Sequence, residues 1–328
     1  MQNNPLISII VPVYNVENFI EKCATTLFEQ DYDNIEYIFV NDCTPDGSIG
    51  VLKKIIEKYP NRKNSIKIIN KEKNEGSFKA RQTGLKNANG EYIIQIDSDD
   101  WVECDMISSS ISKLLLENSD IVIFDFYEEL KNRSRIKSFN IPSNKFDLLN
   151  SFTIKPGYMN YIWNKLIKKD LYDEIVFDDY KINMYEDLYV VFKLCFNVKR
   201  ISILNKPLYH YNRKNTQSIT NSYKIDYFYD RVRVVDSIII FLKNNNADKK
   251  YKDLINFYKL YSKLVLILHP NIRNEKLWQD TYPEANEYVW KTNLKFIYKI
   301  MTWLCDKKLF HLAYFLSDLK NIKKIFGK

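Results

Sequence analysis

Three carboxylates crowd the end of one apolar run. Tyr92-Ile93-Ile94-Gln95-Ile96 leads directly into Asp97-Ser98-Asp99-Asp100-Trp101. The β-branched and aromatic residues read as a strand covered on both faces. In an open α/β sheet, ligands bind beyond the carboxyl ends of the strands. Like charges this close repel unless a cation offsets them. Oxygen-only ligands suit magnesium or manganese, held together with a phosphorylated ligand. The same residues also suit an acidic turn that caps the next helix, because helix N-termini favour Asp and Ser.

A second acidic pair, Glu186-Asp187, opens the amphipathic run Leu188-Tyr189-Val190-Val191-Phe192-Lys193-Leu194. A carboxylate there can complement the helix dipole or act as a general base. Asp42 ends the run Ile35-Glu36-Tyr37-Ile38-Phe39-Val40-Asn41, and His210 sits in Leu208-Tyr209-His210-Tyr211-Asn212-Arg213. The dull alternatives are a helix cap for Asp42 and ordinary half-buried packing for His210.

The elements that must position these groups alternate. Strands are expected at 7–13, 35–40, 66–69 and 92–96, with helices over 16–30, 48–59 and 76–88 between them. This pattern predicts a parallel sheet with helices on both faces. A helix to about Glu117 and a strand at 120–126 follow. Residues 128–147 read as a polar surface loop, 158–169 as helical, and everything from Tyr223 onward as helical. The first glycine is Gly47, so no GxGxxG or GxxxxGK[ST] follows the first strand. Dinucleotide and Walker-type phosphate loops are thereby excluded, as is a nucleotidyltransferase with a glycine-rich loop there.

The net charge is +8, and residues 291–328 carry nine Lys against two Asp, a net +7. The rest of the chain is close to neutral, which argues against a nucleic-acid binder. In that tail Ile297, Trp303, Leu304, Leu309, Phe310, Leu312, Ala313, Leu316 and Leu319 interleave with lysines. A basic amphipathic helix can lie on an anionic membrane surface. It can equally pack on the catalytic half or on a second copy in a homo-oligomer. Five unpaired-looking cysteines (Cys23, Cys43, Cys104, Cys195, Cys305) read as reduced thiols of a cytoplasmic protein. No signal peptide or membrane-spanning run is expected.

Taken together, Ser8-Ile9-Ile10-Val11-Pro12-Val13-Tyr14-Asn15, Val40-Asn41-Asp42-Cys43-Thr44-Pro45-Asp46-Gly47-Ser48, Asn74-Glu75-Gly76 with Ala80-Arg81, Asp97-Ser98-Asp99-Asp100, Glu186-Asp187, and Tyr209-His210-Tyr211 with Ser218-Ile219-Thr220 resemble family 2 glycosyltransferases. These are enzymes that build bacterial surface polysaccharides. The resemblance covers about residues 6–222 and implies a GT-A fold: a Rossmann-like, mostly parallel α/β sheet followed here by a helical C-terminal region. It implies a catalytic domain over 1–222, with a nucleotide-sugar half to about 127 and an acceptor half after it, and helices over 223–328. It also implies inverting transfer from a nucleotide-sugar donor, commonly UDP-linked, to a glycan or lipid-linked acceptor.

By the same resemblance, Pro12, Tyr14 and Asn15 would line the nucleotide pocket and Asp42 would bind the base. Arg81 would approach the base or phosphates. Asp97, with Ser98, would face the ribose, and Asp99 would ligate a Mn2+ or Mg2+ ion. Asp187 would be the general base with Glu186 beside it. His210 would meet the metal or diphosphate, and Arg213 and Ser218 the leaving group. Trp163, Lys165 and Asp100 would border the acceptor. Cys43 and Pro45 depart from the family's usual block, but Asp42 and Asp46 remain. Such an enzyme would work in the cytoplasm, peripherally on the inner membrane face. The non-enzymatic alternative is an inert binding subunit on the same fold.

Overall fold

The computed structural model describes residues 4–138, 148–149, 160–173, 175, 184–214 and 223–326, with side chains up to residue 319. Its described residues form two units, divided within one helix: one holds 4–138, 148–149, 160–173, 175 and 190–214, the other 184–189 and 223–326.

In the first unit, β1 (Ile7–Val13), β2 (Ile35–Asn41), β3 (Ile66–Asn70) and β4 (Tyr92–Gln95) are parallel, in the order β3-β2-β1-β4. Ile7, Ile9, Ile10, Val11 and Val13 are fully buried. That explains why β1 reads as a continuous apolar run and not as an alternating one. Helices α1 (Ile20–Phe28), α2 (Ser48–Ile56) and α3 (Ser77–Lys86) connect these strands. α1 buries Ile20, Cys23, Ala24, Leu27 and Phe28, the spacing of one helical face.

Beyond β4 the sheet becomes mixed. β5 (Trp101–Val102), α4 (Met106–Glu117), β6 (Ile121–Leu130), β7 (Arg133–Lys137), β8 (Lys165–Lys168), α5 (Asp170–Asp173), α6 (Glu186–Asn197) and β9 (Ile201–Asn212) follow in the chain. The order continues β4-β8-β6-β9-β5, with β7 on β6. β8 runs antiparallel to both β4 and β6, while β6 and β9 are parallel.

Three expectations change here. The acidic strand stops at Gln95, and Trp101 belongs to a separate short strand paired with His210. Residues 165–168, expected in a helix, are a strand inserted between β4 and β6. Part of the expected 128–147 loop is a hairpin, in which Leu130 pairs with Arg133; the rest lies outside the described residues.

The second unit is helical after Tyr223: α7 (Ile225–Asn244), α8 (Lys252–Leu268), α9 (Glu275–Asp280), α10 (Phe296–Asp306) and α11 (Phe310–Phe326). None of the described helices is long and apolar enough to cross a membrane. All five cysteines are free.

Lys263 is buried in α8, with its ammonium 3.8 Å over the Trp278 ring and donating to Asn286 Oδ1 at 2.7 Å. Burial lowers its pKa to about 8 from 10.5, against the pull of Asp306 and Glu284. The unfolded chain therefore keeps a proton that the folded chain releases between those values, so stability rises with pH across that window. We expect Lys263→Met to be relatively most stable below pH 8, with its advantage shrinking towards pH 10. Urea midpoints of both proteins at pH 7, 8.5 and 10 check this; a constant difference would contradict it.

Candidate active site

The loops after β1 and β2 are tied to each other. Asn15, at φ 55°, donates its backbone N–H to Thr44 Oγ1 at 2.8 Å. Val16 N–H donates to Ser48 Oγ at 3.0 Å and Glu17 N–H to Asp46 Oδ2 at 2.9 Å. Asp46 also accepts from the Ser48 and Thr44 hydroxyls. Its burial alone would raise its pKa, but these donors outweigh that and hold it below the usual range. Asp46 is thus the residue that starts α2, which leaves Asp42 for other work. Pro12 ends up partly exposed and Tyr14 exposed at this edge.

Asp42 is buried and accepts from Lys71 Nζ at 2.6 Å and from the backbone N–H groups of Glu75 and Gly76, at 2.7 Å for the latter. Gly76 sits at φ 90°, a left-handed conformation in which a side chain would be strained. One carboxylate therefore shapes the entire turn from β3 into α3.

That turn aims α3 so that Arg81 lies buried under the acidic cluster. Its guanidinium donates to Gln95 Oε1 at 3.2 Å and is ion-paired with Asp97 Oδ1. Asp97 and Asp99 remain partly exposed, whereas Ser98 and Asp100 are buried.

Asp100 is fixed from β9. Tyr209 Oη donates to its Oδ2 at 2.6 Å, and Asn212 N–H to its Oδ1 at 2.7 Å. Asn212 Nδ2 also donates to the backbone carbonyl of Asp99 at 3.1 Å. Burial, then the charges of Asp99 and Asp97, push the Asp100 carboxyl well above the usual range. Asp100 therefore feels the charges of both neighbouring carboxylates, with Arg81 ion-paired to one of them. The hard oxygen donors of the cluster suit a small divalent cation. Among the described residues no three His, Cys, Asp or Glu side chains are arranged to hold a metal by themselves. The fit is therefore to an ion bound through one or two carboxylates, with phosphate oxygens completing its shell.

His210 lies between the rings of Trp101 (5.1 Å between centroids) and Tyr127 (4.5 Å). Its Nε2 is 2.9 Å from Glu103 Oε1 and its Nδ1 2.9 Å from Glu129 Oε1. Both ring nitrogens are engaged, so a metal bond would require one to be released. Arg213 is exposed, 3.2 Å from the Tyr211 hydroxyl to which it donates. Ser218 lies outside the described residues.

The three residues expected near the acceptor are buried. Trp163 is 2% exposed, stacked on Tyr209 at 4.2 Å and on Tyr161 at 4.6 Å. Lys165 is 1% exposed and donates to the Tyr161 carbonyl and to Asn164 Oδ1. Asp100 is 1% exposed. In this structure they brace the floor of the cluster and present no surface to an acceptor.

Glu186 and Asp187 open α6 within the second unit and are partly exposed. Just before them, Tyr185 has φ 71°; its hydroxyl is 3.1 Å from that of Tyr223, and Arg231 lies 4.7 Å over its ring. Sequence reasoning passed over Lys71, Gln95, Glu103, Glu129 and Asn212. The only local signal was β9 itself, whose alternation puts Tyr209 and Tyr211 on one side and His210 on the other.

The glycosyl transferase family 2 model matches residues 8–185. EpsH of Bacillus subtilis (strain 168), named as a glycosyltransferase, is 30% identical over 271 residues, covering 80% of this chain and 77% of EpsH. The Staphylococcus aureus (strain Mu50 / ATCC 700699) poly(ribitol-phosphate) beta-N-acetylglucosaminyltransferase TarS is 28% identical over 254 residues, covering 76% of this chain but only 42% of TarS. The crystal structure of TarS residues 1–349 with UDP-GlcNAc superposes with a TM-score of 0.68 at 20% identity, covering 98% of this chain and 92% of that one. That likeness extends to the GT-A sheet and to the helical C-terminal region. With more than half its length inside the family model, the chain belongs to glycosyl transferase family 2.

Proposed function

We propose that this glycosyltransferase inverts the anomeric centre as it moves a sugar from a UDP-linked donor to a hydroxyl of a glycan or lipid-linked acceptor in cell-surface polysaccharide synthesis. The observation that carries this reading is the cluster Asp97-Ser98-Asp99-Asp100, whose Asp97 and Asp99 are partly exposed at the strand end and which is braced by Arg81 and β9. The TarS complex with UDP-GlcNAc, on the same fold, supports the uridine nucleotide.

In this reading Pro12, Tyr14 and Asn15 border the nucleotide and Asp42 meets the base at the edge of the sheet. Asp97 faces the ribose, held in place by Arg81. Asp99 would hold a Mn2+ or Mg2+ ion, which when bound offsets the charge that builds on the diphosphate leaving group. Arg213 and His210 supply or orient further positive charge near that group. Asp187, with Glu186 beside it, takes the proton from the acceptor hydroxyl as it attacks. One displacement with one base inverts the centre and needs no covalent intermediate. We also keep a catalytic domain over 1–222 followed by helices as our proposed division.

The test is turnover of a panel of sugar nucleotides, read as nucleotide release, with the product's anomeric configuration read by NMR. Release from UDP-sugars with inversion supports the proposal; turnover of only GDP- or CMP-sugars, or retention, would overturn the corresponding part.

The C-terminal helices add a membrane reading. Leu304, Phe310 and Ala313 are buried, but Trp290, Phe296, Trp303 and Phe315 are between 40% and 70% exposed beside Lys291, Lys295, Lys299, Lys307 and Lys308. Exposed aromatics among lysines suit an anionic lipid surface. We expect the full chain to sediment with phosphatidylglycerol vesicles and not with phosphatidylcholine ones. Phe296→Ser with Phe315→Ser should reduce that binding. Equal sedimentation of wild type and variant would contradict the reading.

A further inference from the structure

A second concave site lies in the first unit along α3. It is a cavity of about 290 Å³ lined by Lys79, Gln82, Leu85, Lys86, Lys169, Tyr172 and Asp173. Lys79, Gln82 and Lys86 recur at helical spacing, so α3 presents them on one face. Lys169 and Tyr172 arrive from the end of β8 and from α5. The lining therefore carries three ammonium groups against one carboxylate. No carboxylate pairs with Lys86 or Lys169 among the described residues, and Lys169 spends one N–H on the Ala88 carbonyl at 2.7 Å.

The decisive group is Gln82. It is 9% exposed, and its amide Nε2 has no hydrogen-bond partner among the described residues. A buried amide left unmade costs free energy, and native structures rarely tolerate one without a reason. Gln82 lines a cavity whose other polar groups are mostly cations, with its buried amide at the wall. Its missing partner is an acceptor, and the charge around it calls for an anion.

We propose that this cavity binds a phosphate-bearing small molecule, with Lys86 and Lys169 holding the phosphate oxygens and Gln82 Nε2 donating to the ligand. Phosphate offers several acceptors to lysines and amides at once, which one carboxylate does not match. The volume lies just below the usual range for ligand pockets, about 300–1,000 Å³, so the ligand is compact, no larger than a phosphorylated monosaccharide. This site is distinct from the strand-end carboxylates, although the two are linked. Tyr172 Oη accepts from Gln95 Nε2 at 3.1 Å, and Gln95 Oε1 accepts from Arg81, the partner of Asp97. The proposal does not depend on which donor sugar the enzyme uses.

The experiment is calorimetric titration of inorganic phosphate and of glucose 6-phosphate into the full chain without divalent metal. The proteins compared are wild type, Lys86→Ala, Lys169→Ala, Gln82→Leu and Asp99→Ala. We expect saturable binding in wild type and Asp99→Ala, weakened about tenfold or more by each lysine change. Gln82→Leu separates ligand binding from folding. Removing an unsatisfied buried amide should leave the melting temperature unchanged or raised, while weakening the ligand. No saturable binding to wild type would overturn the proposal. So would binding that Asp99→Ala abolishes and the Lys86, Lys169 and Gln82 variants retain, because the phosphate would then sit at the donor site.

Discussion

Asp187→Asn should lower kcat for sugar transfer by about 10²–10⁴-fold, the usual worth of a positioned general base, and leave UDP affinity unchanged. The substitution keeps the size and one hydrogen-bonding oxygen but replaces the basic carboxylate with a neutral amide. Asp187 is partly exposed at the first turn of α6, so its loss disturbs little packing. Its helix-dipole contribution is worth only about 0.3–1 kcal/mol, too little to explain a rate loss of that size through unfolding. Glu186 is the neighbouring candidate. If Glu186→Gln shows the large loss and Asp187→Asn keeps full activity, the base is Glu186 and our assignment is wrong. The pH profile adds a second readout, since removing the base should flatten the acidic limb of kcat.

Asp42→Ala should markedly destabilise the first unit. The Asp42 side chain is 3% exposed and that of its partner Lys71 is 8% exposed. Removing one partner of a buried pair leaves an uncompensated charge, at a typical cost of about 3–5 kcal/mol. Lys71 retains Glu75 at 3.0 Å, and that carboxylate is well solvated, so we expect the lower part of the range. The backbone N–H of Glu75 loses its carboxylate acceptor as well, and that of Gly76 keeps only Asn74 Oδ1, at 3.2 Å. Asp42→Asn should cost less, because it keeps an oxygen for those donors. The measurement is the urea midpoint of each variant followed by a probe in the first unit; a midpoint equal to wild type for Asp42→Ala would refute the buried-pair description.

The parallel half of the sheet was legible in the sequence for a simple reason. β1, β2 and β4 are mostly buried on both faces and so appear as largely apolar runs separated by amphipathic helices. The clustering of carboxylates at the end of β4 was legible, but the residues alone suited a helix-capping turn as well as a ligand site.

The later strands were not legible. β8 was read as a helix because its pairing with β4 and β6 is a tertiary choice that four residues cannot announce. β7 was hidden by Arg133, Ser134, Arg135 and Lys137, the kind of charged sequence that protects a sheet edge. The frame around His210 was out of reach, because Glu103 and Glu129 lie 107 and 81 residues away along the chain. Trp163 suited both an acceptor border and core packing in the sequence, since an isolated tryptophan gives no sign of the Tyr161 and Tyr209 rings that enclose it.

The central claim is that the strand-end carboxylates hold a uridine diphosphate through a divalent ion. Calorimetric titration of UDP, with and without manganese, into wild type and Asp99→Ala tests it most directly. We expect tight binding to wild type only with manganese, and its loss in Asp99→Ala. Binding that ignores both the metal and the substitution would contradict the assigned role of Asp99, and no binding of UDP under any condition would contradict the donor itself.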